Sequence, residues 1–342
     1  MSAAKAPPRH HGLLLIDKPA GLTSHDVVGR VRRLAGQKRV GHTGTLDPMA
    51  TGLMAVLLGA ATRLEPYLTK MDKTYSGRVQ LGLTTDSDDI TGAEISRVSG
   101  PWPEAAAAEL ALKGKVGEAD QVPPAYSAIK VDGCRAYKAA RAGNPLKLAA
   151  RRVTAYRLEM TGYQAPFLDF IAEVSSGYYI RSLARDLGAE LGLGGALASL
   201  RRESVGPWAV SRAVTLEELA EWGDDDWSRG LMPPAEALPH LPGLTLEGDG
   251  VRFFTQGRPV PLGDYENNVD NRPIKVLNAE GLLIGLGEII NTFPERNESG
   301  PLPGRNPGQV ESAASDQSSA DHAHAPHGPY LRPMRVLSTG AE

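Results

Sequence analysis

The chain has 342 residues, enough for about two domains that each bury a core. Hydrophobic residues make up 41% and charged residues 23%, which excludes wholesale disorder, and no apolar run approaches the roughly 18 residues of a membrane span. A net charge of -3 argues against a nucleic-acid partner only until its distribution is read: no acidic residue lies between Asp26 and Asp47, while Arg30, Arg32, Arg33, Lys38 and Arg39 do.

Such a basic strip suits phosphate contacts. Cys134 is the single cysteine, which rules out an internal disulfide or a Cys-based zinc site, and it reads as a small, partly buried apolar residue. Residues 1–11 lack the apolar stretch of a secretory signal, so a flexible N-terminus and a cytoplasmic protein are expected.

Gly12 to Ile16 predicts a short buried strand, and Ser24 an N-cap for a helix with Val27, Val28, Val31 and Leu34 on one face. A Gly-rich loop from Gly36 to Gly44 follows, then an apolar run from Leu53 to Leu58 that periodicity leaves open between helix and strand. Tyr75, Val79 and Leu81 share one side of an alternating strand, with Ser76, Arg78 and Gln80 on the other. Pro103 to Leu112 and Arg135 to Ala142 predict helices, the second stopped by Gly143-Asn144-Pro145. Leu168 to Val174 alternates as a half-buried strand. Ile180 to Leu191 is amphipathic, with Ile180, Leu183 and Leu187 as its stripe and Arg181 and Arg185 off the core side.

Thr215 with Glu218 forms a capping box, after which Asp224-Asp225-Asp226 and Met232-Pro233-Pro234 read as linker. Gly250 to Glu288 suits a small β module. Residues 294–329 are dense in Ser, Pro, Asn, Gly and His and are expected to be disordered; a strand at Tyr330 to Leu337 makes them an insertion in that module. Strands and helices mix without regular parallel units, which favours an α+β fold. The expected domains are 12–230 and 240–342.

The candidate chemistry lies in Gly41-His-Thr-Gly-Thr-Leu-Asp-Pro-Met-Ala-Thr-Gly-Leu53. Glycine permits a tight turn there, and Pro48 keeps Asp47 out of the α region. From chemistry alone, an Asx-turn in which Asp47 bonds nearby amides is the favoured reading. The run as a whole, however, resembles the active-site signature of the TruB family of pseudouridine synthases nearly letter for letter. Asp17-Lys18-Pro19-Ala-Gly-Leu-Thr-Ser24, Lys73-Thr74-Tyr75, Gln121-Val-Pro-Pro-Ala-Tyr-Ser-Ala-Ile-Lys130, Ser176-Gly-Tyr-Tyr-Ile-Arg181 and Leu200-Arg201-Arg202 resemble further blocks in the family's order, over residues 12 to 210. Tyr178 departs from the pattern, standing where a small Thr is usual. Gln256-Gly257-Arg-Pro-Val-Pro261 and Gly285-Leu-Gly-Glu288 resemble a PUA-type RNA-binding module.

The resemblance implies a pseudouridine-synthase fold, with a mixed, largely antiparallel sheet flanked by helices and a PUA-like module behind it. It implies that a monomer isomerises the uridine at position 55 of the tRNA T arm, with the C-terminal module at the acceptor end. Asp47 would be the catalytic carboxylate, Tyr75 the platform for the flipped base, Arg181 the partner that keeps Asp47 ionised, and Tyr179 a proton-handling or positioning group. Leu200 would pack beside the base. Lys18, His42, Thr45 and the strip Arg30, Arg32, Arg33 and Arg39 would contact RNA.

Isomerisation needs no redox change, so no cofactor and no metal are expected. Tyr75 and Arg181 have plainer alternatives, as core and as a solvated helix face. Asp86, Asp88 and Asp89 could suggest Mg²⁺ ligands but read as structural or loop-ordering groups, since the chemistry needs no metal. His322, His324 and His327 read as incidental. Three rival functions stand beside this one: a guide-RNA-dependent isomerase, an RNA chaperone with secondary catalysis, and a metal-dependent phosphoesterase.

Overall fold

The computed structural model describes residues 9–263, 272–290 and 329–337. Its contacts divide the chain into two compact units, one running to Ala237 and the other beginning at Leu238.

The first unit runs β1 (Gly12–Lys18), α1 (Ser24–Leu34), β2 (Val40–His42), β3 (Thr51–Leu58), α2 (Glu65–Leu68), β4 (Lys73–Leu81), β5 (Leu83–Thr85) and β6 (Glu94–Arg97). It continues through α3 (Ala105–Lys113), β7 (Gly117–Gln121), β8 (Lys130–Val131), β9 (Cys134–Arg135), α4 (Ala136–Arg141), β10 (Arg151–Gln164) and β11 (Phe167–Val174). It ends with α5 (Ile180–Glu190), β12 (Gly195–Val205), β13 (Trp208–Ala209), α6 (Leu216–Ala220) and α7 (Asp224–Gly230). One sheet organises it, in the order β1-β3-β12-β4-β11-β10-β7, with β2 added to β3 and β13 to β12. Only β12 and β3 pair in parallel, so the sheet is mixed and largely antiparallel, as the family resemblance implies.

Two apolar layers fix this sheet. Leu14, Ile16, Met54, Val56 and Leu58 pack with Val27, Val28 and Val31 of α1 and with α6. Tyr75, Val79, Leu81, Leu168 and Phe170 pack with Leu183 and Leu187 of α5 and with Ala108 and Leu112 of α3. The second arrangement follows from the period-2 side-chain alternation of β4 and β11.

Several local expectations change. The N-cap of α1 is Thr23, in a capping box with Asp26, because the Ser24 hydroxyl is buried and bonded elsewhere. Leu34 is exposed and Ala35 takes its place in the core. A short strand, β2, interrupts the Gly-rich loop. The apolar run after it is a strand, buried throughout from Gly52 to Leu58. The acidic triplet opens helix α7, which Trp227 anchors against His10 and Trp222, and Met232 pairs with Leu13 instead of serving as linker. Cys134 lies exposed in the β8–β9 hairpin.

The second unit comprises β14 (Gly243–Thr245), α8 (Gly248–Thr255), β15 (Val260–Pro261), β16 (Ile274–Leu277), β17 (Leu283–Ile290) and β18 (Tyr330–Val336). Its five strands form one sheet in the order β14-β16-β17-β18-β15, closed on one side by Phe254 of α8. The expected small β module thus opens on a strand and a helix, with Gly250 in α8. The low-complexity residues up to 328, with His322, His324 and His327, fall outside the described residues.

Candidate active site

The loop between β2 and β3 is fastened from three sides. The Ser24 hydroxyl donates to the Leu46 carbonyl at 3.1 Å and accepts from the Leu46 amide at 2.8 Å. Lys18, fully buried, spends its ammonium on the carbonyls of Pro19 (2.9 Å), Leu22 (2.7 Å) and Pro48 (3.4 Å). Arg202, also buried, donates to the carbonyls of Leu53 (2.6 Å) and Gly44 (3.2 Å). Gly52 permits this approach: its φ is +99°, and a Cβ there would lie 2.3 Å from the Arg202 carbonyl oxygen.

This frame presents Asp47 with its carboxylate facing Arg181. Arg181 Nε lies 2.9 Å from Asp47 Oδ2, and Nη2 donates to Oδ1 at 3.1 Å, a bidentate pair in place of the Asx-turn. Arg181 is 5% exposed, so the helix face that the apolar stripe leaves off its core is covered here, against the plainer reading of a solvated arginine. The covering comes from two distant loops: Nη1 donates to the Ser87 carbonyl (3.0 Å) and lies 3.7 Å from Asp89 Oδ2, and Nη2 also donates to the Tyr126 carbonyl (2.9 Å). Gln121 fixes the start of α5, accepting from the Tyr179 amide at 2.8 Å and donating to the Tyr179 carbonyl at 3.1 Å.

A cavity of about 320 Å³ opens over the pair, walled by Tyr75, Tyr179, Leu200 and Thr45, with Lys73 and Arg202 also in its lining. Tyr75, on β4, stands opposite Ala172 of β11 on one side and Arg202 of β12 on the other. A second cavity of about 800 Å³ shares Asp47, Thr45 and Arg181 and adds His42.

Thus Asp47, Tyr75, Tyr179, Arg181, Leu200 and Thr45 converge, with His42 adjoining. Lys18 lies behind the loop with its donors spent, and Arg30, Arg32, Arg33 and Arg39 line neither cavity. Lys73 and Arg202 were not among the expected site residues. The signal for both was the strand period, since each stands two residues from a named residue, Tyr75 or Leu200.

Burial pushes the Asp47 carboxyl above its ordinary value; Arg181 and Lys18 pull it down and Asp89 adds to the rise. Arg181 favours the ionised form, as the resemblance implies, but desolvation opposes it and is the larger effect. Burial also lowers His42 and raises the Tyr179 phenol.

The carboxylates of the Asp86 loop have protein partners. Asp86 accepts from the Ala93 amide and the Tyr126 hydroxyl, Asp88 pairs with Arg185, and Asp89 accepts from Ser87 and Thr91. They order the loop that carries the Ser87 carbonyl to Arg181. Among the described residues no group of three or more metal-ligating side chains is disposed to hold an ion. No described helix is long and apolar enough to cross a membrane.

A carboxylate gripped by a buried guanidinium in a tyrosine-walled pocket, on a mixed sheet, is the arrangement the sequence resemblance implies for a uridine isomerase. Comparison with known proteins places it further. The N-terminal domain of the TruB family pseudouridylate synthases matches residues 32–180, and the tRNA pseudouridylate synthase B C-terminal domain matches residues 181–238. The tRNA pseudouridine synthase B of Thermobifida fusca is 49% identical over 81% of this chain and 94% of its own length. That of Leifsonia xyli is 46% identical over 81% of this chain and 92% of its own.

Among solved structures, a Cbf5-Nop10-Gar1 complex contains a chain 25% identical with a TM-score of 0.64, covering 84% of this chain and 83% of that one. A chain of an H/ACA RNP bound to a substrate RNA shares the fold, at 20% identity and a TM-score of 0.66 over 98% of this chain and 92% of its own. The chain belongs to the TruB family of pseudouridylate synthases. Its first unit has the pseudouridine-synthase fold, and its second is a PUA-like β module.

Proposed function

We propose that this protein converts the uridine at position 55 in the T arm of tRNA to pseudouridine, acting in the cytoplasm as a monomer without a guide RNA. The bidentate Asp47–Arg181 pair inside the pocket of Tyr75, Tyr179 and Leu200 carries this reading. The relatives at 46% and 49% identity, named as tRNA enzymes, support the substrate over the guided alternative.

The target base must leave its stack, which costs a few kcal/mol. Stacking on Tyr75, on the order of 1 to 3 kcal/mol, offsets much of it. Whether Asp47 bonds to C1′ or C6 or assists elimination, its ionised form is the reactive one. The N1 to C1′ bond breaks, the uracil turns, C5 bonds to C1′, and the proton lost from C5 is matched by one taken up at N1. Tyr179 beside Asp47 is placed to handle that proton or to align the base.

Lys18 acts here by holding the Pro48 carbonyl, not by gripping RNA, and Thr45 and His42 face the RNA from the second cavity. Incubating the protein alone with an unmodified tRNA transcript and mapping product tests the assignment. Product confined to the T arm is expected; product elsewhere, or none until a guide RNA is added, overturns it.

The basic strip divides in two. Arg32 donates to the Val40 carbonyl and Arg39 to the Thr62 hydroxyl, whereas Arg33 is exposed and Arg30 half-exposed. We assign the phosphate grip to Arg30 and Arg33. Arg30→Ala/Arg33→Ala should weaken tRNA binding and lower the log–log salt slope by about one for each lost phosphate contact. An unchanged slope sinks this assignment.

In the second unit the exposed Arg252 and Arg258 guanidiniums lie 5.3 and 4.4 Å from the Phe253 ring centre. This cationic, aromatic surface suits contact with the tRNA acceptor end.

A further inference from the structure

Lys18, Lys73 and Arg202 are buried around the catalytic loop, and none forms an ion pair among the described residues. Arg202 acts as a like charge on both lysines, set against Asp47 and Asp26 near Lys18 and Asp72 near Lys73, none of which lies within ion-pair distance of them. Backbone carbonyls alone solvate them. Lys18 has three carbonyl partners, but the Lys73 ammonium has two, those of Thr69 (2.7 Å) and Met71 (2.5 Å), which leaves one N–H. Arg202 uses Nε and Nη2, and its Nη1 lies beside Gly44, 3.5 Å from where a Cβ would stand.

Lys73 and Arg202, not Lys18, line the cavity. They flank Tyr75: Lys73 stands two residues away on the same strand face, and Arg202 directly across on β12. Two desolvated cations beside the base platform, with no carboxylate in contact with either among the described residues, are unfavourable in the empty protein and suited to an anion in the cavity.

The reaction supplies one. Breaking the N1 to C1′ bond leaves its electron pair on the uracil, spread over O2 and O4; addition of a carboxylate to C6 instead leaves it on C5 and O4. Either charge is discharged once C5 has bonded to C1′ and, on the second route, the carboxylate has left C6; the proton then lost from C5 is matched by one taken up at N1. Resting on the isomerase reading above, we propose that Lys73 and Arg202 form a cationic cradle for the negative charge that develops on the uracil ring, with the remaining N–H of Lys73 as a donor to it. No proton need leave Lys73.

The test measures the single-turnover rate and tRNA dissociation constant of Lys73→Met and Lys73→Arg beside the wild type. Lys73→Met should slow conversion by about 10² to 10³-fold, as removal of a preorganised donor does, with tRNA affinity unchanged. Lys73→Arg, which restores the charge, should recover most of the rate. An unchanged rate in Lys73→Met overturns the proposal. So does weakened binding at an unchanged rate, which would make Lys73 a phosphate contact.

If Lys73→Met melts early, Lys73→Gln takes its place, because an amide can still donate to the two carbonyls without the charge. A wild-type rate in that variant also overturns the cradle. Absence of product from the wild type in the same assay marks failure of the isomerase reading itself, and the cradle falls with it.

Discussion

Asp47→Asn is expected to lose pseudouridine formation by at least about 10⁴-fold, as removal of an essential reacting group does, while melting at or above the wild-type temperature. The two effects have one cause. Burial raises the Asp47 carboxyl, so above the ordinary carboxylate value the native state holds a proton that the unfolded chain has released. Stability therefore falls as pH rises through that window, and at neutral pH the ionised carboxylate burdens the fold. The amide removes that burden. Arg181 is not stranded by the change, because the Ser87 and Tyr126 carbonyls and Asp89 remain around it.

On the proposed mechanism, in which the ionised carboxylate reacts, the same shift should place the acid limb of the wild-type rate above the ordinary aspartate value. Single-turnover product formation and thermal melting of the two proteins decide the matter. A variant that keeps its activity, or that melts well below the wild type, contradicts the account.

Arg181→Met should behave in the opposite way, losing activity by about 10² to 10³-fold and stability by about 3 kcal/mol or more. Here the loss strands two carboxylates, Asp47 and Asp89, and leaves the Ser87 and Tyr126 carbonyls without their donor. Arg181→Lys should recover little of either, because a single ammonium cannot span both Asp47 oxygens and reach two carbonyls. Denaturant unfolding and single-turnover rates check both variants. A stable, inactive Arg181→Met would mean that the guanidinium serves chemistry without supporting the fold.

Period and turn chemistry made the β4 and β11 faces and the Thr215 capping box legible in sequence. Side chains governed by distant segments were not. The stripe of α5 locates the face that packs on its own core, yet Arg181 is buried by the loops carrying Ser87 and Tyr126, about 94 and 55 residues away in sequence. Ser24 looks like a cap because it is a serine before an apolar helix, but its hydroxyl is claimed by Leu46. Leu53 to Leu58 stays ambiguous locally since β3 is buried throughout, which erases the alternation that marks a half-exposed strand. The acidic triplet resembles a linker until Trp227 finds His10 and Trp222.

Asp47 itself was recognisable through its matched blocks, whereas Lys73 and Arg202 stood in those blocks unremarked. Buried cations whose only partners are carbonyls leave no charge pattern in a sequence.

The three-sided fastening of the Asp47 loop by Ser24, Lys18 and Arg202 also bears on how uridines are chosen. A loop so held should leave the deformation to the nucleic acid, so that the proposed isomerase would measure how easily a nucleotide abandons its neighbours. It should then favour pliant elbows of folded RNA over regular duplex, even where the same base stands in both.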